Sequence, residues 1–284
     1  METMAALFWL DGKWTDEAPR LTGPTDHSFW LGSTVFDGAR AIAGLAPDLD
    51  RHCQRAIASA KAMGMTPSLS GEEIQRLAVE GIRKFPRDAV LYVKPIFYAA
   101  GGGLDVQSAT TAFVLHLFEA PLPEGGGFSA TLSPLRRPAP EMATTDAKAS
   151  SLYPNSDRAT REAVKRGFDA AVMRDPWDNI AEFAFANIFI AKNGRVRTPA
   201  ANGTFLAGIT RRRILALLNE AGIEATEAKL TVQDLHEADE IFSVGNYAKV
   251  MVCNRFEDRE LNAGPIGAEA RRRYFKWAEQ TRVA

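Results

Sequence analysis

A dense run of proline and glycine divides the 284-residue chain near its middle, at Pro-Leu-Pro-Glu-Gly-Gly-Gly over 121–127. Proline removes a backbone donor and glycine adds conformational freedom, so such a run rarely continues a helix or a strand. We therefore expect a linker at 121–127 between a smaller N-terminal domain, residues 1–120, and a larger C-terminal domain, residues 128–284. A chain of this length has ample material for two hydrophobic cores.

Both parts of the chain mix strands with helices. Asp11-Gly12 and Asn193-Gly194 favour tight hairpin turns, and Ser70 with Glu73 forms a capping box that opens a helix to about residue 84. Gly222 is expected to end a helix over 210–221. Hydrophobic spacing predicts strands over 34–44, 89–98, 110–118, 128–133, 168–174, 239–244 and 248–256, and helices over 51–63, 156–166 and 266–279. The predicted fold class is α/β (mixed α+β) with two domains.

The composition excludes several classes of protein. Hydrophobic residues make up 46% and charged residues 24%, with a net charge of −1, so neither disorder nor nucleic-acid binding is favoured. No stretch approaches the roughly 20 apolar residues of a membrane span, and the first residues lack the basic start of a signal peptide. Cys53 and Cys253 fit no metal-ligand spacing. A secreted protein of this size would often carry more than two cysteines, so we expect a cytoplasmic protein.

Common motifs of hydrolases and metalloenzymes are absent from the sequence. There is no G-x-S-x-G elbow, no P-loop and no H-E-x-x-H, and the histidines are scattered at 27, 52, 116 and 236. A lone histidine is more often a packed or surface residue than a ligand. A metal site is therefore not predicted.

Three segments are unusual for simple packing. Lys148 and Tyr153 flank small polar residues just before a helix, and a lysine amine can form a Schiff base. Glu182 is a single carboxylate among apolar neighbours, where burial would require a charged partner. Residues 206–213 combine a glycine turn with a helix start, which favours an anion. Taken singly, these segments are better explained as a surface lysine, a solvent-facing glutamate and an ordinary helix cap.

Taken together, the segments resemble the fold-type IV pyridoxal phosphate enzymes, whose fold is that of the D-amino acid aminotransferases. The resemblance runs from about residue 8 to 275 and keeps a fixed order of motifs. These are F-D-G-A-R at 36–40, R-H at 51–52, K-x-x-x-x-Y-x-N-S at 148–156, Glu182, G-I-T-R at 208–211 and a glycine turn at 245. The Phe36–Arg40 segment and Tyr92-Val93-Lys94 are most similar to the branched-chain aminotransferase group.

The resemblance implies pyridoxal 5′-phosphate as cofactor, carried on Lys148. Tyr153 would bond the phenolic oxygen of the cofactor, and Glu182 would pair with its pyridine nitrogen. The implied phosphate contacts are Arg51, Ile209, Thr210, Gly245 and Asn246. The implied substrate contacts are Leu31, Phe36, Arg40, Tyr92, Lys94 and Tyr247. Lys94 replaces the usual arginine and Leu31 a usual tyrosine, and both changes loosen the expected recognition of carboxylates. Asn246 replaces a usual threonine, and its amide is still able to donate to the phosphate.

The implied activity is transfer of an amino group between a branched-chain or related amino acid and a 2-oxo acid such as 2-oxoglutarate. The resemblance also implies a homodimer with a shared active site, to which the loop 101–107 could contribute; a plain connection between two strands is the other interpretation of that loop. A D-amino acid or (R)-selective amine transaminase is the alternative. Less favoured are an aminodeoxychorismate lyase, a binding protein without turnover and an interaction module.

Overall fold

The structure, a computed structural model, describes residues 6–123, 125–261 and 264–283, so Glu124 of the predicted linker lies outside the described residues. The chain forms two compact units. Unit 1 comprises Met1–Leu122, Asp146–Ser151 and Ala278–Ala284, and unit 2 comprises Pro123–Thr145 and Leu152–Trp277.

Two segments from the second half of the sequence therefore join unit 1. Ala149 forms an isolated bridge with Val35, and Arg282 forms one with Leu45. These backbone pairings join residues more than 100 positions apart in sequence, so no local pattern could have indicated them. A single linker at 121–127 does not describe this division, because the chain re-enters unit 1 twice.

Within its described residues, unit 1 contains six strands and three helices. They are β1 (Ala6–Leu10), β2 (Lys13–Thr15), α1 (His27–Trp30), β3 (Thr34–Phe36), β4 (Ala39–Ile42), α2 (Leu49–Ala62), α3 (Gly71–Ile82), β5 (Val90–Ala100) and β6 (Thr110–Glu119). The strands form one sheet in the order β2-β1-β6-β5-β3, with β4 also paired to β5. Helices α2 and α3 pack against this sheet. The hairpin at Asp11-Gly12 and the capping box of Ser70 and Glu73 are confirmed.

The single strand predicted over 34–44 is divided in the structure. Strand β3 pairs with β5 at Phe36 and Ile96, whereas β4 pairs with β5 at Arg40 and Tyr92. Asp37 and Gly38 separate the two strands. The carboxylate of Asp37 is fully buried and accepts hydrogen bonds from α2. Strand propensity reflects local sequence and does not indicate such an interaction with a helix.

Unit 2 contains nine strands and four helices among its described residues. They are β7 (Phe128–Arg136), α4 (Tyr153–Lys165), β8 (Ala170–Arg174), β9 (Ile180–Phe183), β10 (Asn187–Lys192), β11 (Arg195–Pro199), α5 (Ile209–Glu220), β12 (Ala225–Ala228), α6 (Val232–Glu237), β13 (Glu240–Gly245), β14 (Lys249–Phe256), β15 (Arg259–Glu260) and α7 (Pro265–Ala278). The sheet order is β12-β11-β10-β13-β14-β7-β8-β9, with β15 paired to β14. The predicted hairpin at Asn193-Gly194 is confirmed.

Both faces of the unit 2 sheet are buried, as the apolar strands require. On β10, Ile188 and Ile190 join one core cluster, while Phe189 and Ala191 join another. This alternation follows the two-residue period of a strand. The buried sheet gives rigid support to the turns at its edges. Among the described helices, none is long and apolar enough to cross a membrane.

Candidate active site

Lys148 is held in unit 1 by its own backbone. Its amide donates to Ser59 Oγ of α2 at 3.0 Å, and its carbonyl accepts from the amide of Phe36 at 3.1 Å. The Nζ of Lys148 lies 5.1 Å from the centre of the Phe36 ring. The backbone is thereby fixed by two elements, while the side chain places its amine over an aromatic face, which favours a cation.

The substrate residues implied by the resemblance share one face of the unit 1 sheet. Tyr92 and Lys94 alternate along β5 with the buried Leu91 and Val93, so they lie on the opposite face from the core. Tyr92 is paired with Arg40, and Phe36 is paired with Ile96 on the same face of β5. The guanidinium of Arg40 lies 5.4 Å from the centre of the Tyr92 ring, and its Nη1 donates to the carbonyl of Ala120.

Two amines approach the same aromatic ring. The Nζ of Lys94 lies 4.9 Å from the centre of the Phe36 ring that Lys148 also approaches. Burial, and secondly the charge of Lys148, lower the pKa of Lys94. His116, the cross-strand neighbour of Lys94, has its pKa lowered to about 4 by burial and by the charge of Lys94. Lys94 and Lys148 thus bring two amines to one face of unit 1, which suits a carboxylate.

A buried charge cluster lies beside this face. Asp37 accepts from Arg55 Nε at 2.6 Å and Nη2 at 2.9 Å, and it lies 2.7 Å from His52 Nδ1. Burial alone would raise the pKa of Asp37, but Arg55 and His52 together bring it below its ordinary value. The side chain of Arg55 is 18% exposed. The side chain of Arg51, the expected phosphate ligand, is 46% exposed, and its Nε lies 3.6 Å from Asp48 Oδ1.

In unit 2, Glu182 is a buried carboxylate with a buried guanidinium behind it. The Nε of Arg137 lies 3.3 Å from Glu182 Oε1, and the two side chains are 7% and 11% exposed. Arg137 also donates to the carbonyl of Thr204 at 3.2 Å, so its position is fixed from a second direction. The guanidinium compensates the burial of the carboxylate and favours its charged form.

Asn187 connects this carboxylate with the start of α5. Its Nδ2 donates to Glu182 Oε2 at 3.3 Å, and its Oδ1 accepts from the amide of Gly208 at 3.2 Å. A Cβ on Gly208 would come within 2.1 Å of Asn187 Oδ1, so this close approach requires glycine. Ile209 and Thr210 open α5 in buried positions, with no acidic residue in its first turn. A carboxylate and an anion-binding helix start are thus neighbours in one unit.

The remaining implied cofactor contacts also lie in unit 2. Gly245 ends β13 beside Ala186. A Cβ added at Gly245 would lie 3.3 Å from the Cβ of Ala186. Asn246 follows in the β13–β14 turn, and Tyr247 is 65% exposed. Tyr153 begins α4, and its ring stacks on Phe185 with the centres 5.9 Å apart. In unit 1, Leu31 follows α1 and is 42% exposed.

The sequence reasoning did not consider several of the polar residues described above. In unit 1 they are Asp37 and Arg55, and in unit 2 they are Arg137 and Asn187. Arg55 lies one helical turn before Ser59 on α2, but only the structure shows that this helix face contacts the Lys148 backbone. The sequence contained no signal for Arg137 either, since its partner Glu182 is 45 positions away.

These features define a class of protein. An aminotransferase on this fold requires three groups. They are an amine held over an aromatic ring, a buried carboxylate beside an arginine, and a helix start suited to a phosphate. The match to a family supports the same conclusion: the description "Amino-transferase class IV" covers residues 34–256. The chain belongs to the class IV aminotransferases.

Comparison with individual proteins agrees with this family. The chain is 33% identical over 264 residues to a putative branched-chain-amino-acid aminotransferase of Methanocaldococcus jannaschii, covering 91% of each chain. A crystal structure of an aminotransferase from Brucella abortus bound to PLP is 43% identical, with a TM-score of 0.94 over 97% of this chain and 99% of that one. A branched-chain aminotransferase from Thermoproteus uzoniensis, solved with norvaline, is 28% identical, with a TM-score of 0.90 over 98% and 96%. The predicted fold and enzyme class are confirmed.

Proposed function

We propose that this aminotransferase uses pyridoxal 5′-phosphate to move an amino group between a branched-chain or related amino acid and a 2-oxo acid such as 2-oxoglutarate. The observation that carries the proposal is the contact of Asn187 with both Glu182 and the start of α5. A pyridine nitrogen and a phosphate lie at opposite sides of this cofactor, and one unit of the chain offers a partner for each. The donor set therefore fits the cofactor.

The cofactor, when bound, accepts the electrons released when the α-proton of the substrate leaves. Lys148 would carry the cofactor until the substrate amine displaces it, and its freed amine would then move the proton as general base and acid. Glu182, beside the guanidinium of Arg137, would keep the pyridine nitrogen protonated. Tyr153 would donate to the phenolic oxygen, and the amides of Ile209 and Thr210 and the Gly245-Asn246 turn would hold the phosphate.

We assign the phosphate-binding arginine to Arg55 rather than to Arg51. Arg55 is the less exposed of the two, and Asp37 fixes its guanidinium through two hydrogen bonds. One turn further along α2, Ser59 accepts from the amide of Lys148. A fixed guanidinium on the helix face that contacts the cofactor-carrying segment suits a dianionic phosphate.

Arg55→Ala is expected to weaken cofactor binding by about tenfold or more, because a charge-assisted contact to the phosphate is lost. Arg51→Ala on the same helix is the matched control and should change the dissociation constant by less than about twofold. Cofactor titration followed by visible absorbance measures both values. A loss confined to Arg51→Ala would return the role to Arg51.

The substrate side of the proposal rests on the sheet face of unit 1. Phe36 and Tyr92 offer aromatic surface for a branched side chain, with Leu31 as a further apolar contact in the same unit. Arg40 orders the edge of this face through Tyr92. Lys94 supplies the charge for the distal carboxylate of glutamate or 2-oxoglutarate. The two named branched-chain relatives favour this substrate class over D-amino acids, (R)-amines or lyase activity.

Addition of L-leucine to the cofactor-loaded protein should bleach its visible absorbance, whereas D-alanine should not. Preferential bleaching by D-alanine would contradict the branched-chain substrate class.

Lys94→Met is expected to raise the KM for glutamate at least about tenfold, because a charge-assisted contact is lost, and to change the KM for leucine less than about twofold. Lys94→Arg keeps the charge and serves as control.

A homodimer with a shared active site is part of the proposal. In unit 1, Leu104 is 82%, Phe29 64% and Trp30 50% exposed. His27 Nε2 lies 3.3 Å from the carbonyl of Leu104 and connects α1 with the loop 101–107, so these apolar side chains belong to one surface region. Light scattering should give twice the 31.0 kDa mass of one chain. A monomeric mass would rule out the dimer.

The proposed location is the cytoplasm. Cys53 and Cys253 are both free and buried, and burial raises the pKa of each thiol to about 12. Neutral, buried thiols are stable in a reducing compartment. Fractionation of the native cells with a cytoplasmic marker tests this location, and recovery with the membrane or secreted fraction would contradict it.

A further inference from the structure

Lys249 is a buried lysine in an unusual backbone conformation. Its side chain has no exposed surface, and its φ of +65° lies in the left-handed region that favours glycine. It opens β14 directly opposite Gly245, so it closes the turn that contains Asn246. An apolar residue would occupy a buried strand position at lower cost, and a glycine would adopt this φ without strain.

The amine of Lys249 contacts both the turn and α7. Its Nζ donates to Asn246 Oδ1 at 2.6 Å and lies 5.3 Å from the centre of the Tyr274 ring on α7. From the same helix, Arg271 donates to the carbonyl of Ala248 at 2.7 Å and to that of Val250 at 2.9 Å. The backbone of the turn is thus held by Arg271 independently, and the Lys249 amine acts on the Asn246 side chain.

This contact fixes the direction of the Asn246 amide. Because a carboxamide carries its oxygen and its nitrogen on opposite sides, an oxygen bound to an ammonium directs the Nδ2 donors away from Lys249. A strained, buried residue that persists at such a place is a reason to look for a function. A fixed pair of N–H donors in the turn after Gly245 suits an anion.

We propose that Lys249 is a positioning residue for the cofactor phosphate. Its ammonium orients the Asn246 amide so that Nδ2 donates to a phosphate oxygen. The inference rests on the proposed function, in which Asn246 is one of the phosphate contacts.

The test compares the binding of pyridoxal 5′-phosphate with that of pyridoxal, which lacks the phosphate. Lys249→Met should lower the preference for the phosphorylated form about tenfold, as expected for loss of one oriented contact to a charged group. Asn246→Ala should do the same, and adding Lys249→Met to it should change the preference less than about twofold. Lys249→Gln keeps a donor and should restore most of the preference.

The controls separate positioning from a general loss of structure. Val250→Ala opens a cavity in the same hairpin, so it should lower the thermal midpoint and leave the preference unchanged. If Lys249→Met does not fold, Lys249→Leu replaces it. An unchanged preference in Asn246→Ala would overturn the phosphate contact itself. A normal preference in Lys249→Met beside an impaired Asn246→Ala would overturn only the role of Lys249.

Discussion

Replacing Lys148 with alanine is expected to lower the rate of transamination by more than about 10³-fold, because the amine is the group that transfers the proton. The variant should still fold. Its contacts to Ser59 and Phe36 are made by the backbone amide and carbonyl of residue 148, and both groups remain in alanine. Steady-state rates with L-leucine and 2-oxoglutarate, together with the thermal midpoint, measure the two effects.

Lys94 is the natural control for this prediction. Its Nζ lies 4.9 Å from the centre of the Phe36 ring, against 5.1 Å for Lys148, so proximity to this ring does not distinguish the two amines. Borohydride reduction of the loaded protein, which makes a lysine–aldehyde bond permanent, followed by peptide mass mapping identifies the carrier. A reduced cofactor adduct on the peptide that contains Lys148 supports the assignment, and an adduct on the peptide that contains Lys94 overturns it.

Replacing Glu182 with glutamine is expected to lower kcat about 10²- to 10³-fold, the range found for loss of one electrostatic contact in an active site. A neutral amide leaves the ring nitrogen without its counter-charge and leaves the buried Arg137 uncompensated. The visible spectrum of the bound cofactor should shift as well, which provides a readout independent of turnover. Glu182→Asp, which keeps the charge, should retain more activity.

A second buried carboxylate in unit 2 provides the matched control. Glu240 is 7% exposed and accepts from the amides of Ile266 and Gly267 at the start of α7. Glu240→Gln should lower the free energy of unfolding and leave kcat within about twofold. Equal effects on kcat from Glu182→Gln and Glu240→Gln would mean that Glu182 acts through stability alone.

Local chemistry predicted much of the secondary structure. The turns at Asp11-Gly12 and Asn193-Gly194 and the capping box of Ser70 and Glu73 formed as expected, because the interactions that define them lie within a few residues. Short elements such as α1, β9, β12 and α6 were not predicted. Each has six residues or fewer, too few for a hydrophobic period to be recognised.

The linear order of chemically distinctive residues identified the type of site before any geometry was known. A pyridoxal phosphate enzyme was indicated by the order of Lys148, Tyr153, Glu182 and the segment 208–211. From the sequence, the phosphate contact was assigned to Arg51, and Arg55 was overlooked. Both are arginines on one helix, and only their exposure and their acidic partners, Asp48 and Asp37, distinguish them.

The sequence by itself determined the class of the protein, most of its helices and strands, and the residue types that its chemistry needs. The tertiary structure decided which polar groups are buried together. Asn187 connects Glu182 with Gly208, Arg137 compensates Glu182, and Lys249 donates to Asn246. Burial of a charge or an amide depends on partners brought close by folding, and spacing along the chain does not encode the distance between them.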